Sequence, residues 1–183
     1  CQRNLSVGRI KTLQSLNYEA PTDIDSAIAV LAKANRNTKI FAGGTDLLVQ
    51  LREEFITPSL FIDIKKIKET KIISIDEREI RIGAAVTGAE LSEQEDVRIL
   101  LPGLVEAVEL IGSAQIQGRA TIGGNICNAS PAADSIPALI TASAVAEVAG
   151  PAGFREVPIQ DILAGPGQTT LDPTEFVITL RIP

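Results

Sequence analysis

The chain has 183 residues, 45% hydrophobic but only 3% aromatic, so it can bury one good-sized core built mainly from Ile, Leu, Val and Ala. Its formal net charge is −6 with one Tyr and no Trp, which argues against a nucleic-acid partner, because both a basic field and stacking platforms are missing. It contains no His, which excludes Ser–His and Cys–His nucleophilic catalysis, His-ligated metals and a flavin attached through histidine.

Residues 1–17 lack periodicity and read as an N-terminal arm. Thr22-Asp23-Ile24-Asp25 resembles a helix start, with acidic residues where the positive end of the dipole lies. Behind it Ile24, Ala27, Ile28, Leu31 and Ala34 recur with helical spacing. Residues 39–42 read as a short buried strand, Gly43-Gly44 as a turn, 46–54 as a helix with Asp46 capping it, and 60–64 as a second strand. This predicts a first α/β lobe over 18–70, with 65–70 as its linker. Residues 71–75 and 80–83 flank Asp76-Glu77-Arg78-Glu79 and predict a hairpin. Thr87 caps a short helix, and Pro102 opens another that Gly112 ends. A long Gly-Gly loop follows, then a helix opened by Ser130-Pro131-Ala132, a hairpin around Gly150-Pro151-Ala152-Gly153, and a last strand over 175–182. Residues 71–183 thus predict a second, α+β lobe. No segment reaches the roughly 20 apolar residues of a membrane span. No basic n-region followed by an apolar h-region is present at the start of the sequence, so secretion is not expected. Cys1 and Cys127 stand far apart and form no CxxC, so the expectation is a reduced, cytoplasmic protein without a metal site. The absence of Met predicts an internal or processed piece of a longer polypeptide.

Two Gly-Gly segments stand out: Ala42-Gly43-Gly44-Thr45-Asp46-Leu47-Leu48, and Thr121-Ile122-Gly123-Gly124-Asn125 running on to Asp134. Glycine lets a ligand approach the backbone, and successive amides in such a turn form an anion-binding nest. Thr45 is a hydroxyl donor for a phosphate or ribityl oxygen, Asn125 a donor or acceptor for ligand or backbone, and Asp134 an acceptor for ribose hydroxyls. Neither segment has the spacing of a Rossmann turn or the Lys of a P-loop. Each is also readable as a turn that merely satisfies its own backbone. The acidic runs Glu53-Glu54, Asp76 to Glu79 and Glu93 to Asp96 read as solvated surface, as do Lys65, Lys66 and Lys68. Cys127 sits inside the second segment without a neighbouring base or cation and reads as lining the pocket rather than reacting.

The two segments, in this order, resemble the FAD-binding subunit or domain of the molybdenum hydroxylases, the family of xanthine dehydrogenase and the medium subunit of aerobic CO dehydrogenase. Tyr18-Glu19-Ala20-Pro21-Thr22, Phe61-Ile62-Asp63-Ile64, Ile82-Gly83-Ala84, Gly112 to Gln117 and Leu180-Arg181-Ile182-Pro183 agree with it. The resemblance implies an α+β fold, a two-lobed FAD domain of the vanillyl-alcohol oxidase type, with FAD between the lobes. It implies that Ile40, Phe41, Ala42, Gly43, Gly44, Thr45, Asp46 and Leu47 wrap the pyrophosphate. Thr121, Ile122, Gly123, Gly124 and Asn125 hold it from the other side, Asp134 meets the ribose end, and Ile111 and Val177 border the isoalloxazine. By periodicity alone, Ile111 and Val177 read as core. Some relatives carry His where this chain has Thr45, so FAD is expected to be non-covalent.

The same resemblance implies a molybdopterin-binding large subunit and a [2Fe-2S] small subunit as partners, in a dimer of heterotrimers. Electrons pass from the Fe–S clusters to FAD and on to NAD or another acceptor, and no side chain of this chain acts as a catalytic acid or base. Family members continue past the Arg-Ile-Pro strand into a further C-terminal domain of roughly 100 residues, which this sequence does not contain. Two other readings stay open: a stand-alone FAD oxidoreductase of the same fold, and a flavin-free assembly subunit.

Overall fold

The structure, a computed structural model, describes residues 16–35 and 37–183. Apart from its last residues, the expected N-terminal arm lies outside them. In chain order the elements are β1 (Asn17–Glu19), α1 (Ile24–Lys33), β2 (Thr38–Phe41), α2 (Leu47–Arg52), β3 (Leu60–Asp63), a 3-10 turn (Lys68–Lys71), β4 (Ile73–Ile75), β5 (Ile80–Gly83), α3 (Gly88–Ser92), α4 (Glu95–Leu100), α5 (Pro102–Glu109), α6 (Ala114–Gln117), α7 (Ile122–Asn128), α8 (Ser135–Thr141), β6 (Val145–Gly150), β7 (Gly153–Pro158), α9 (Ile159–Ile162), β8 (Leu163–Gly165), β9 (Gln168–Thr169) and β10 (Phe176–Ile182). This is the α+β architecture expected.

The strands form three sheets. The first is parallel, with order β1-β3-β2. Parallel neighbours need crossovers, and α1 and α2 supply them. The second is antiparallel, with order β4-β5-β10-β6-β7, and β8 and β9 form a small ribbon. Strand β10 is buried along nearly its whole length because β5 and β6 flank it on both edges. Helix α1 packs on β6, and its buried face consists of Ala27 and Leu31, so the first sheet's crossover helix also seals the second sheet. One apolar cluster spans both sheets, from Ala27 and Ile62 to Leu139, Ile162 and Leu180.

Several elements differ from the sequence expectations. Asp23 caps α1 by accepting from the Ser26 amide, as its placement suggests, but Asp46 makes no cap bond to α2. The stretch expected as a linker is structured: Thr70 is fully buried and its hydroxyl bonds the Ile64 and Ile67 carbonyls. The helix expected from Ser130 starts at Ser135. The largest difference is the loop expected around Gly123-Gly124, which is the first turn of α7. Two glycines disfavour a helix, but the Thr121 cap and the anchoring of this turn to the Ala84–Val86 segment outweigh that cost. Short elements with weak periodicity, β1, α4, α6, α9, β8 and β9, carry no clear signal in the sequence and are set by tertiary pairing. Among the described residues no helix is long and apolar enough to cross a membrane, and no group of three or more His, Cys, Asp or Glu could hold a metal ion.

Candidate functional site

Strand β2 delivers the chain into the first glycine turn. Gly44 has φ +75°, and a Cβ there would stand 2.6 Å from the Phe41 ring, so the turn needs glycine both for its conformation and for its packing on Phe41. Gly43 is buried for a different reason. A Cβ on it would collide with the Arg119 carbonyl oxygen and press on Ala120. The first glycine turn therefore rests on the backbone that immediately precedes Thr121, and the two motifs, about 75 residues apart in sequence, meet.

The two motifs differ in what their amides do. From Gly43 to Leu47 no backbone N–H finds an acceptor among the described residues; the first bond of α2 runs from the Leu48 amide to the Gly44 carbonyl at 3.0 Å. Gly43 is buried, Gly44, Thr45 and Leu47 are half-buried and Asp46 is exposed; a buried amide such as that of Gly43 costs free energy unless something accepts from it. In the second motif the amides are already paired. Ile122 N–H donates to the Val86 carbonyl at 3.1 Å, Gly123 N–H to the Ala84 carbonyl at 3.0 Å, Gly124 N–H to the Thr121 hydroxyl at 3.1 Å and Asn125 N–H to the Thr121 carbonyl at 2.9 Å. Gly123 itself is required by packing, since a Cβ there would lie 2.6 Å from that of Ala84. Gly124 is exposed and has only the Thr121 hydroxyl near its missing Cβ.

Side chains around these turns complete the geometry. The Thr45 hydroxyl donates to the Asp46 carboxylate at 3.3 Å, and Asp46 is exposed. Asn125 accepts from the buried Ser135 hydroxyl at 2.6 Å, which fixes its side chain against α8. Asp134 is exposed at the head of α8, with no cap bond and no partner among the described residues. Ile40 and Leu47 are half-buried, Phe41 and Ala42 buried, and Thr121 and Ile122 almost fully so. Ile111 is half-buried just past α5, and Val177 is a core residue of β10, 3% exposed. Cys127 is exposed as a residue, yet desolvation of its thiol pushes the pKa up to about 11, so it stays protonated at neutral pH. A surface depression of about 280 Å³ between α1 and the first sheet is lined by Glu19, Val30 and Lys33 and by none of these residues.

A supporting cluster under the first turn was not apparent from sequence. The Lys65 ammonium bonds the Ala42 carbonyl and the Asp63 carboxylate, each at 2.8 Å, and stands 4.2 Å from the Phe41 ring centroid. Asp63 is buried and also accepts from the Tyr18 hydroxyl and the Lys65 amide. Burial alone would raise the Asp63 carboxyl, but the Lys65 and Tyr18 hydrogen bonds and the Lys65 charge outweigh it and hold the group below the usual aspartate range. Tyr18 donates to that carboxylate and is pushed up to about 12, chiefly by this bond and then by desolvation and the Asp63 charge. Phe41 stacks on Phe61 at 5.4 Å and meets Tyr18 edge-on at 6.5 Å. The one signal in sequence was Asp63-x-Lys65 at a strand end, which reads as a solvated basic run. Glu79, expected in a solvated turn, instead binds Arg81 at 2.5 Å and Arg181 at 2.7 Å, and Arg181 also reaches Glu156.

The family model "FAD binding domain in molybdopterin dehydrogenase" matches residues 13–183. The chain is 34% identical over 168 residues to the xanthine dehydrogenase FAD-binding subunit of Escherichia coli O157:H7, covering 91% of this chain and 57% of that one. It is 33% identical over 166 residues to the carbon monoxide dehydrogenase medium chain of Hydrogenophaga pseudoflava, covering 91% and 58%. Among solved structures, the carbon monoxide dehydrogenase of Hydrogenophaga pseudoflava lacking the Mo-pyranopterin moiety of its molybdenum cofactor superposes with TM-score 0.89 at 32% identity, over 94% of this chain and 60% of that one. Quinoline 2-oxidoreductase of Pseudomonas putida 86 superposes with TM-score 0.88 at 27% identity, over the same shares. The chain thus spans less than two thirds of the length of these relatives. With this match along nearly the whole sequence, and with both glycine motifs brought together, the chain belongs to the family of FAD-binding domains of molybdopterin dehydrogenases.

Proposed function

We propose that this chain carries FAD, bound non-covalently, as the electron-transfer component of a molybdopterin-dependent hydroxylase or dehydrogenase. The observation that carries the reading is the seat of Gly43 on the Arg119 carbonyl beside a run of amides, Gly43 to Leu47, that lack an acceptor among the described residues. A diphosphate is an acceptor of the right charge for such a nest. In this reading the first lobe, 18–70, offers Ile40 to Leu47 to the diphosphate, with the Thr45 hydroxyl turned to it. The second lobe, 71–183, closes on it with Thr121, the exposed face of Gly124 and the Asn125 amide, while Asp134 accepts from the ribose. Arg119, exposed and unpaired among the described residues, adds positive charge at the join. Ile111 and Val177 border the ring.

The flavin supplies the one- and two-electron chemistry when bound, and the protein supplies position and electrostatics. Molybdopterin and [2Fe-2S] clusters belong to large and small partner subunits. The component takes electrons from the clusters and gives them to NAD or another acceptor, within a dimer of heterotrimers in the cytoplasm. Purified chain incubated with FAD and desalted is expected to retain absorbance near 450 nm, roughly where flavins absorb, and G43A to lose it. A wild-type chain that stays colourless refutes the reading and leaves the assembly-subunit alternative. Reduction by an organic substrate with no other subunit present favours the stand-alone oxidoreductase instead.

A further inference from the structure

We propose, building on that reading, that Lys65 is a positioning residue that sets the first glycine turn for a diphosphate and so makes this chain select flavins by their phosphates. Three contacts fix its ammonium: the Asp63 carboxylate at 2.8 Å, the Ala42 carbonyl at 2.8 Å and the Phe41 ring at 4.2 Å. Ala42 is the last residue before the turn. Its carbonyl is the oxygen that a peptide rotation would swing toward the space served by the Gly43 and Gly44 amides, where it would repel an anion. Lys65 holds it back and cancels its negative end. Asp63 in turn is held by the Lys65 amide at 2.9 Å and by Tyr18, so the arrangement does not depend on a single flexible side chain. The Lys65 side chain is 34% exposed while that of Asp63 is 7% exposed. Asp63 is buried, so removing Lys65 alone leaves a carboxylate short of its charged partner, which is why K65R and K65Q accompany K65M in the test. The position of Lys65 suits the preorganisation of the turn, since holding the Ala42 carbonyl also fixes the peptide plane that carries the Gly43 amide, the first of the run without an acceptor among the described residues.

The test compares FAD with riboflavin, which has the same ring and no phosphate, on the complete chain by flavin fluorescence titration. K65M is expected to weaken FAD by roughly ten- to a hundredfold, the loss of one charge-assisted hydrogen bond, with riboflavin unchanged. K65R, which keeps charge and donor, is expected to restore most of the FAD affinity. K65Q, which keeps a donor for the Ala42 carbonyl without the charge, is expected to fall between, and it carries the comparison if K65M does not fold. FAD binding by K65M equal to wild type overturns the proposal, as does an equal loss for FAD and riboflavin, which marks a general structural role. A wild-type chain that binds no FAD overturns the cofactor reading itself, so the two failures are distinguishable.

Discussion

At the scale of single residues, glycines that look alike in sequence do different work. Gly43 is needed because another segment lies against it, Gly44 because its φ is positive, and Gly123 because Ala84 is in the way. Gly124 faces solvent and crowds only a hydroxyl. G43A and G123A are therefore expected to lower stability in urea unfolding by about 1–3 kcal/mol, the usual range for overpacking, while G124A stays within about 1 kcal/mol of wild type. Equal losses at all three positions would contradict this division. The Tyr18–Asp63 pair makes a second prediction. Tyr18 is the only tyrosine and there is no Trp, so tyrosinate absorbance reads it alone. In wild type it is expected to ionise near pH 12; D63N removes the acceptor charge and should bring it back toward about 10. Because the folded value is raised, this group's contribution to stability is complete below the unfolded value and is lost as pH rises toward 12. Asp63 has the opposite sign: its folded value is lowered, so its contribution is present above the unfolded value of about 3.9 and disappears as pH falls through the folded one.

At the scale of elements, the second glycine motif shows how a cap and tertiary contacts override propensity. Thr121 caps α7 through its hydroxyl, and the Ala84 and Val86 carbonyls take the next two amides. T121A is expected to cost about 1 kcal/mol by urea unfolding, and T121S to recover most of it; no loss in T121A would mean that the Ala84 and Val86 contacts alone hold the turn. Thr87 plays a related part on α3, where it forms a capping box with Glu90, and Glu90 also binds Lys71 at 2.6 Å. Strong local signals of this type were readable in sequence: Thr87, Asp23, Pro102, and the Asp76 to Glu79 turn between β4 and β5. The Thr121 cap was not, because Gly-Gly beside Asn and Ser is the usual composition of a loop, and only the neighbouring carbonyls turn it into a helix.

At the scale of the whole molecule, the chain is held together by contacts that cross between the parallel and antiparallel sheets. α1 seals β6, and the Gly43 turn rests on Arg119 and Ala120. A ligand that bridges both glycine motifs stabilises their union by mass action. In the FAD reading, saturating cofactor at a hundred times Kd should add about 2.7 kcal/mol to unfolding, read as a rise in Tm that G43A abolishes. A flavin-independent Tm would count against a site made of both motifs. On the antiparallel sheet, Arg181 of β10 ties Glu79, just before β5, to Glu156 of β7, an ion-pair network that salt screens.

The sequence by itself determined the class of fold, most strands and the longer helices, because alternation, helical spacing and caps are local properties. It also determined the pair of glycine motifs that mark the family, since their residue order survives without any structure. Tertiary structure alone decided which amides remain open. Whether an N–H is available depends on whether a distant carbonyl has taken it, and Val86 and Ala84 take those of Ile122 and Gly123 in the second motif while, among the described residues, none takes those from Gly43 to Leu47. For the same reason Lys65, a solvated charge by composition, became the support of the first turn: the Ala42 carbonyl, Asp63 and Phe41 surround it only once β2 and β3 lie side by side.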